Sequence, residues 1–434
     1  MTPSQPWDYD TSIEYLFGLQ KHGIKLGLNS TERLLDRAGN PHHSLRCIHV
    51  GGTNGKGSTA AMICSLLSKH GFRVGLYTSP HLVRFTERFR INEQEVTSER
   101  ILRVFREIHA RLDPHECPTY FEMVTAMALV YFAQEKVDFA VIEVGMGGRL
   151  DATNVINPLV SIITNVSRDH QEYLGSTLPA IAREKAGIIK KKVPLVSAVQ
   201  KFNVLSVFKT ACWKMQAPLY LMGSDFNVRR SPNGTFRYRG IRNDWPSLRL
   251  SLLGEHQVRN AALALCALEL LEAEGLLHPQ KDALSRGLEE LKWPARLEII
   301  GKNPLTILDG AHNPEGAESL RQALTTSFKY EKLHLVMGVM EDKDIRGMFK
   351  RILPLADTAI FTQPDTGRAC DPQQLKKLAK PYIRKHYVIS DVGAALEQAR
   401  HLARHNDLIC ITGSLYFAGE VKKILGDKSI WNTM

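Results

Sequence analysis

An α/β fold in two parallel-sheet domains is what this sequence predicts, on three observations. Residues 46–67 run from a β-branched segment through a Gly-rich turn into a helical segment. Two near-continuous apolar runs, at 137–144 and 159–164, have the composition of strands buried on both faces of a parallel sheet. Beyond Pro294, strand and helix patterns alternate to the end of the sequence.

Composition narrows the classes. The 434 residues are 44% hydrophobic, enough for two or three packed cores. No run of about 18 apolar residues occurs, and the first residues lack the basic and apolar blocks of a signal peptide, so a cytoplasmic protein is expected. The seven cysteines are scattered with no C-x-x-C pair, which fits reduced thiols rather than a disulfide frame or a zinc site. A formal charge of +11 would suit nucleic acid, an anionic membrane or polyanionic small molecules. Basic residues are nonetheless spread along the chain, and the densest knot, Lys190-Lys-Lys192, reads as a solvated helix end. Small molecules are the expected partners, with no nucleic acid and no membrane.

Residues 11–38 read as two helical pieces broken at 23–31, with Ser30 or Thr31 placed to cap the second. The turn Gly52-Thr-Asn-Gly-Lys-Gly-Ser58 follows a strand and opens a helix. Its glycines let backbone N–H groups converge on an anion, the helix start adds its positive dipole end, and Lys56 supplies an ammonium for terminal phosphates. A nucleoside triphosphate is the expected occupant. The spacing departs from G-x-x-x-x-G-K-[ST], because Val50 stands at the first Gly position and Gly57 separates Lys56 from Ser58. The Mg²⁺-binding hydroxyl that usually follows the Lys is thereby displaced, so another group must hold the metal.

A second strand is expected at 73–77, followed by a polar and aromatic loop at 78–90, where α/β folds place ligand contacts. Thr78 or Ser79 could supply the displaced hydroxyl, and Arg84, Arg88 and Arg90 could meet carboxylates. Helices at 97–112 and 119–135 lead to the run 137–144, near whose end Glu143 is placed to bind Mg²⁺ across from the phosphate loop. The strand at 159–164 puts His170 on the same rim, and Lys185 follows on a helical pattern. Short alternating pieces from about 218 to 252 suggest a small β insertion. A helix from 254 then carries His256 and Asn260 on one polar face. Pro294 sets the boundary between domains 1–294 and 295–434. In the second, Asp309-Gly-Ala-His-Asn-Pro314 sits at the first strand–helix turn and Thr412-Gly-Ser-Leu-Tyr416 at the last.

Taken in order, these motifs resemble those of the folylpolyglutamate synthases, and more closely the bifunctional dihydrofolate synthase/folylpolyglutamate synthases, relatives of the Mur ligases. The phosphate loop, the 78–88 loop, Glu143-Val-Gly-Met-Gly-Gly-Arg-Leu-Asp-Ala-Thr-Asn154, Asp169-His170, Arg183-Glu-Lys-Ala-Gly187 and Trp293-Pro-Ala-Arg296 carry the likeness across nearly the whole chain. The resemblance implies a P-loop parallel-sheet ATP-binding domain with a small β insertion, plus a second Rossmann-like α/β ligase domain. It implies an ATP-dependent carboxylate–amine ligase joining L-glutamate to dihydropteroate, or to the glutamate tail of reduced folates, through an acyl phosphate. ATP would lie against Asn54, Gly55, Lys56, Gly57, Ser58, Asn260, Arg296 and Asp309. Ser79, Glu143 and His170 would hold Mg²⁺, with two metal sites expected, and Lys185 matches the family's carbamylated lysine. The catalytic set is Lys56, Glu143, His170, Lys185 and Arg296. Pteroate would meet Lys25, Leu26, Gly27, Phe121, Glu122, Met123, Val124, Leu150, Asp151 and Ala152. Arg84, His312 and Ser414 are further substrate contacts, and a monomer is expected. Ala295 stands where the family commonly has Gly. The rival readings are a Mur-type amino-acid ligase acting on a UDP-sugar peptide and a non-catalytic ATP-gated binding protein.

Overall fold

The computed structural model describes residues 7–23, 27–113, 115–231 and 233–426; Lys25 and Leu26 of the expected substrate loop lie outside them. The chain forms two compact units, residues 1–249 with 259–291 and residues 250–258 with 292–434.

The first unit is built on eight strands: β1 (Cys47–Gly51), β2 (Val74–Tyr77), β3 (Phe89–Ile91), β4 (Gln94–Glu95), β5 (Phe139–Glu143), β6 (Val160–Ile163), β7 (Leu195–Ser197) and β8 (Leu219–Leu221). Their spatial order is β4-β3-β2-β5-β1-β6-β7-β8. The strands from β2 through β8 in that order are parallel, while β3 and β4 continue one edge antiparallel. Every residue of β1, β2, β5 and β6 is buried, as apolar two-faced strands require, so helices must cover both faces.

Those helices are α1 (Tyr9–Gly18), α2 (Asn29–Arg37), α3 (Lys56–Lys69), α4 (Ser98–His109), α5 (Tyr120–Gln134), α6 (Gln171–Leu174), α7 (Leu178–Ala186), α8 (Phe202–Met215), α9 (Glu255–Ala273) and α10 (Lys281–Glu289). One core gathers Leu16, Leu35, Phe105 and Phe132 from α1, α2, α4 and α5; a second gathers Ile181, Val204 and Phe208 from α7 and α8. Helix α5 starts where Thr119 and Glu122 form a reciprocal capping box, a local signal worth about 1 kcal/mol.

The expected β insertion is an antiparallel sheet of β9 (Asn227–Arg230), β10 (Phe236–Arg239) and β11 (Asp244–Leu248). Its anticipated first piece, at 219–221, instead pairs in parallel with β7 at the edge of the large sheet. The loop expected over 78–90 likewise ends in strand β3, and β7 with α8 forms a strand and helix that no motif had marked.

The second unit carries β12 (Glu298–Lys302), β13 (Leu305–Leu308), β14 (Leu333–Met337), β15 (Thr358–Phe361), β16 (His386–Val388) and β17 (Leu408–Thr412) in the order β12-β13-β17-β14-β15-β16. All pairs are parallel except β12 with β13. Helices α11 (Pro314–Thr326), α12 (Ile345–Ile352), α13 (Pro372–Ala379), α14 (Val392–Leu402) and α15 (Leu415–Leu425) alternate with the strands, as the sequence predicted. Among the described residues no helix is long and apolar enough to cross a membrane.

Candidate active site

Parallel pairing places the functional segments of the first unit on one rim. Val50 of β1 registers with Glu143 of β5, and Gly51 with Ile163 of β6, so the phosphate loop, Glu143 and the loop after β6 all leave the sheet at its C-terminal edge. The phosphate loop is braced from the β6 side. Asn165 Oδ1 accepts the Asn54 N–H at 2.9 Å, Asn165 Nδ2 donates to Asn54 O at 3.1 Å, and Thr164 Oγ1 donates to the same carbonyl at 2.6 Å. Gly52 has a φ of 138°, and a Cβ there would fall 1.9 Å from Thr164 Oγ1. Gly55, at φ 84°, precedes α3, and a Cβ on it would meet Asn260 Oδ1 at 2.6 Å. Only glycine combines these backbone angles with these approaches.

Lys56 Nζ donates to Thr53 O at 3.2 Å, folded back over its own loop. Ser58 Oγ is buried at the helix start and finds no protein partner among the described residues. A triphosphate oxygen would satisfy that orphaned donor, so the loop fits the nucleotide assigned to it. Glu143, 4% exposed, accepts the Ser79 N–H through Oε2 at 2.9 Å. That contact is made by the Ser79 backbone; the Glu143 carboxylate and the Ser79 hydroxyl are each oxygen donors of the kind Mg²⁺ takes. His170 opens α6 in the left-handed region, φ 49°, with its N–H donating to Asp169 Oδ1 at 3.0 Å. Among the described residues no three His, Cys, Asp or Glu side chains gather as a ready metal cluster; of the three residues expected to hold Mg²⁺, Ser79 and Glu143 are joined through the Ser79 backbone.

Lys185 is buried on α7, and its Nζ donates to Gly52 O at 2.8 Å. Burial, reinforced by the Lys56 charge and opposed by Asp169 and Asp151, pushes its pKa down to about 7. Near neutrality a large share of Lys185 is therefore an uncharged amine.

In the second unit, β13 and β17 are parallel neighbours, which brings Asp309 and the 412–416 turn to one edge. Asp309 Oδ2 accepts the Leu297 N–H at 3.0 Å and Oδ1 the Ala311 N–H at 2.9 Å, while Gly310 N–H donates to Ala295 O at 2.9 Å. The segment carrying Arg296 is thus pinned on both sides of it. Ala295 and Leu297 both have positive φ, 54° and 50°, angles that glycine takes without strain. Burial and the Arg296 charge lower the His256 pKa, and the Asp309 carboxylate opposes them.

Comparison with known proteins places this arrangement. The Mur ligase middle domain matches residues 50–268, and the Mur ligase, glutamate ligase domain matches 295–415. The dihydrofolate synthase/folylpolyglutamate synthase of Bacillus subtilis is 36% identical over 96% of this chain and 99% of its own. The chain belongs to the dihydrofolate synthase/folylpolyglutamate synthase family of Mur ligases. Among solved structures, the Mycobacterium tuberculosis folylpolyglutamate synthase complexed with ADP superposes with a TM-score of 0.91 at 32% identity, over 97% of this chain and 100% of that one. The Escherichia coli FolC in complex with DHPP and ADP gives 0.91 at 30% identity, over 98% and 99%.

The substrate residues implied by family resemblance occupy varied settings in this synthase-family member. Met123 and Val124 are wholly buried in the core, and the Glu122 carboxylate is engaged by the Thr119 N–H at 2.6 Å. Phe121 is the partly exposed member of that set, and a Cβ on Gly145 would strike its ring at 2.3 Å. Gly27, at φ 153°, has open space around it. Asp151 is buried, accepting the Met146 N–H at 2.8 Å and the Thr153 N–H at 3.0 Å, which fixes the turn holding Leu150 and Ala152. Arg84 Nη2 pairs with Glu95 Oε1 at 2.9 Å on the surface. His312 Nδ1 lies 2.9 Å from Gly310 O, and Ser414 Oγ accepts the Phe417 N–H at 3.0 Å as the cap of α15.

Sequence reasoning missed Thr164 and Asn165, which brace the phosphate loop from a neighbouring strand. It also missed the role of Arg88, buried with Nε donating to His81 Nδ1 at 2.8 Å and its guanidinium 5.4 Å from the Tyr120 ring centre. Polar residues directly after an apolar strand were the available signal for the first pair. The stacking of Arg88 on Tyr120 joins segments 32 residues apart and leaves no local trace.

Proposed function

We infer that this chain is an ATP-dependent ligase that adds L-glutamate to dihydropteroate, to the glutamate tail of reduced folates, or to both. The observation that carries the reading is the phosphate loop itself, with Ser58 Oγ buried and unpartnered among the described residues at the start of α3, and Glu143 on the same rim, its carboxylate accepting the Ser79 backbone N–H. A carboxylate is a poor electrophile, so joining it to an amine in water requires activation. Transfer of the γ-phosphoryl group to the pteroate or folate carboxylate gives an acyl phosphate and ADP; the glutamate amine attacks the acyl carbon, phosphate leaves, and the amine loses a proton. Lys56 and Arg296 offset charge on the transferring group, and Asn54, Gly55, Gly57, Ser58, Asn260 and Asp309 position the nucleotide. Mg²⁺, held by Ser79, Glu143 and His170, would supply further positive charge against the phosphates. Lys185 supports the reading as a buried amine beside the phosphate loop, able to add CO₂ with loss of a proton to become an anionic carbamate. Residues 1–294 supply the ATP-binding domain and 295–434 the ligase domain, and the protein acts as a cytoplasmic monomer.

The test offers dihydropteroate and tetrahydrofolate separately with ATP, Mg²⁺ and labelled glutamate. Glutamate-dependent ADP release and a labelled pteroyl product are expected with at least one acceptor, and Lys56→Ala, Glu143→Ala and His170→Ala each cut the rate more than about tenfold. Release of ADP without glutamate incorporation, or incorporation only into a UDP-sugar peptide, overturns the assignment.

A further inference from the structure

Helix α8, which follows β7 in the first unit, presents an outer stripe that the ligase reading does not use. Phe202, Ser206, Lys209 and Trp213 follow one another at i, i+4, i+7 and i+11, which sets them in a row along one face. The opposite face, Val204, Phe208 and Cys212, is buried in the core, so the helix is oriented and the stripe must point outward. Phe202 is 86% exposed and Trp213 is 80% exposed, the two most solvent-accessible large apolar side chains described. Eleven residues at about 1.5 Å each set the two rings about 16 Å apart along the helix axis.

The chain on either side of this stripe carries charge of one sign. Between Glu184 and Asp225 the sequence contains no acidic residue, whereas Lys190, Lys191, Lys192, Lys201, Lys209 and Lys214 all fall there. Lys191 and Lys192 are exposed, and the Lys192 N–H donates to Met215 O at 2.9 Å, which seats this basic turn against the C-terminal end of α8. Lys190 is partly withdrawn, with Nζ donating to Asn154 O at 2.7 Å. Lys209 and Lys214 form no ion pair among the described residues. Basic residues that look evenly spread along the whole sequence are therefore concentrated, without acidic neighbours in the chain, beside two exposed aromatic rings.

We propose that the outer face of α8 is a peripheral docking surface for an anionic lipid bilayer, with Phe202 and Trp213 entering the headgroup–acyl boundary and the flanking lysines facing acidic headgroups. Aromatic rings interleaved with lysines are the chemistry of interfacial helices. A second copy of this chain is disfavoured as occupant because facing α8 helices would oppose lysine to lysine. A single-stranded nucleic acid would need rings spaced for adjacent bases in a groove, whereas these rings are widely separated on a convex helix.

The test uses the full-length protein with phosphatidylcholine vesicles, either neutral or containing about one third phosphatidylglycerol. Co-sedimentation with the acidic vesicles only, weakening as salt is raised, is expected, together with a blue shift of tryptophan emission that Trp213→Phe removes. The double variant Lys209→Glu with Lys214→Glu should bind these vesicles at least about tenfold more weakly. Phe202→Ser with Trp213→Ser should lose binding, and both variants should retain the wild-type Tm and lipid-free turnover. Absence of co-sedimentation, undiminished binding by folded variants, or an unshifted Trp213 emission overturns the proposal. So does a lipid-free dimer dissociated by Trp213→Ser, or a single-stranded oligonucleotide that binds more tightly and displaces the vesicles.

Discussion

Lys185 shows how one buried group links stability and chemistry. Its pKa in the folded protein, about 7, lies below the ordinary 10.5, so between those values the unfolded chain binds more protons than the folded one. Stability therefore rises with pH across that window, and the full cost of burying the charge is present below about pH 7. Lys185→Met should raise Tm more at about pH 6 than at about pH 9, as thermal melts at the two pH values would show. If the amine adds CO₂, wild-type turnover should increase through about pH 7 and respond to bicarbonate. Lys185→Arg, which keeps its proton, should respond to neither. Ala295 is a simpler case. A non-glycine residue at φ 54° costs about 1–3 kcal/mol, partly offset by the smaller entropy it loses on folding, so Ala295→Gly should stabilise the second unit by about 1 kcal/mol in urea unfolding.

Secondary-structure elements differ in how clearly their sequences announced them. Strands β1, β5 and β6 and nearly every element of the second unit were legible because each is a buried apolar run or an amphipathic helix bounded by Gly, Pro, Asp or Asn. Strands β3, β4 and β12 were not, and β8 was expected in the wrong sheet, because these strands lie at or next to a sheet edge and their pairing is decided by a neighbour rather than by their own pattern. The rim was legible in the same uneven way. Glu143 stands out as an acid at the end of an apolar strand, whereas Thr164 and Asn165 become loop braces only through the parallel pairing of β6 with β1. The β9–β11 sheet had a visible pattern but a hidden anchor. Glu269 of α9, buried, accepts the Tyr238 hydroxyl at 2.7 Å and the N–H groups of Ile241 at 2.9 Å, Arg242 at 3.2 Å and Asn243 at 2.7 Å. Gln at this position would turn one acceptor into a donor facing donors. Glu269→Gln should cost about 2–4 kcal/mol in urea unfolding, since several charge-assisted bonds weaken together.

At the scale of the whole molecule, each unit has its own sheet and core, yet the ligation scheme draws residues from both. The phosphate loop, Glu143, Lys185 and Asn260 belong to the first unit, and Arg296, Asp309, His312 and Ser414 to the second. Binding and turnover should therefore separate by mutation. ADP at about 100 times its Kd should stabilise the unit that holds it by about 2.7 kcal/mol, seen as a rise in that unit's unfolding transition. Lys56→Ala should remove most of that shift, because the phosphate loop is the anion-binding element. Arg296→Ala should leave much of the ADP shift in place while lowering kcat, because its guanidinium is assigned to charge that develops on the phosphoryl group during transfer. Calorimetry of both variants with and without ADP, read beside their turnover, checks the division. An Arg296→Ala protein with wild-type kcat would remove the second unit's arginine from the chemical step, and one with no ADP shift would move it into ground-state nucleotide binding.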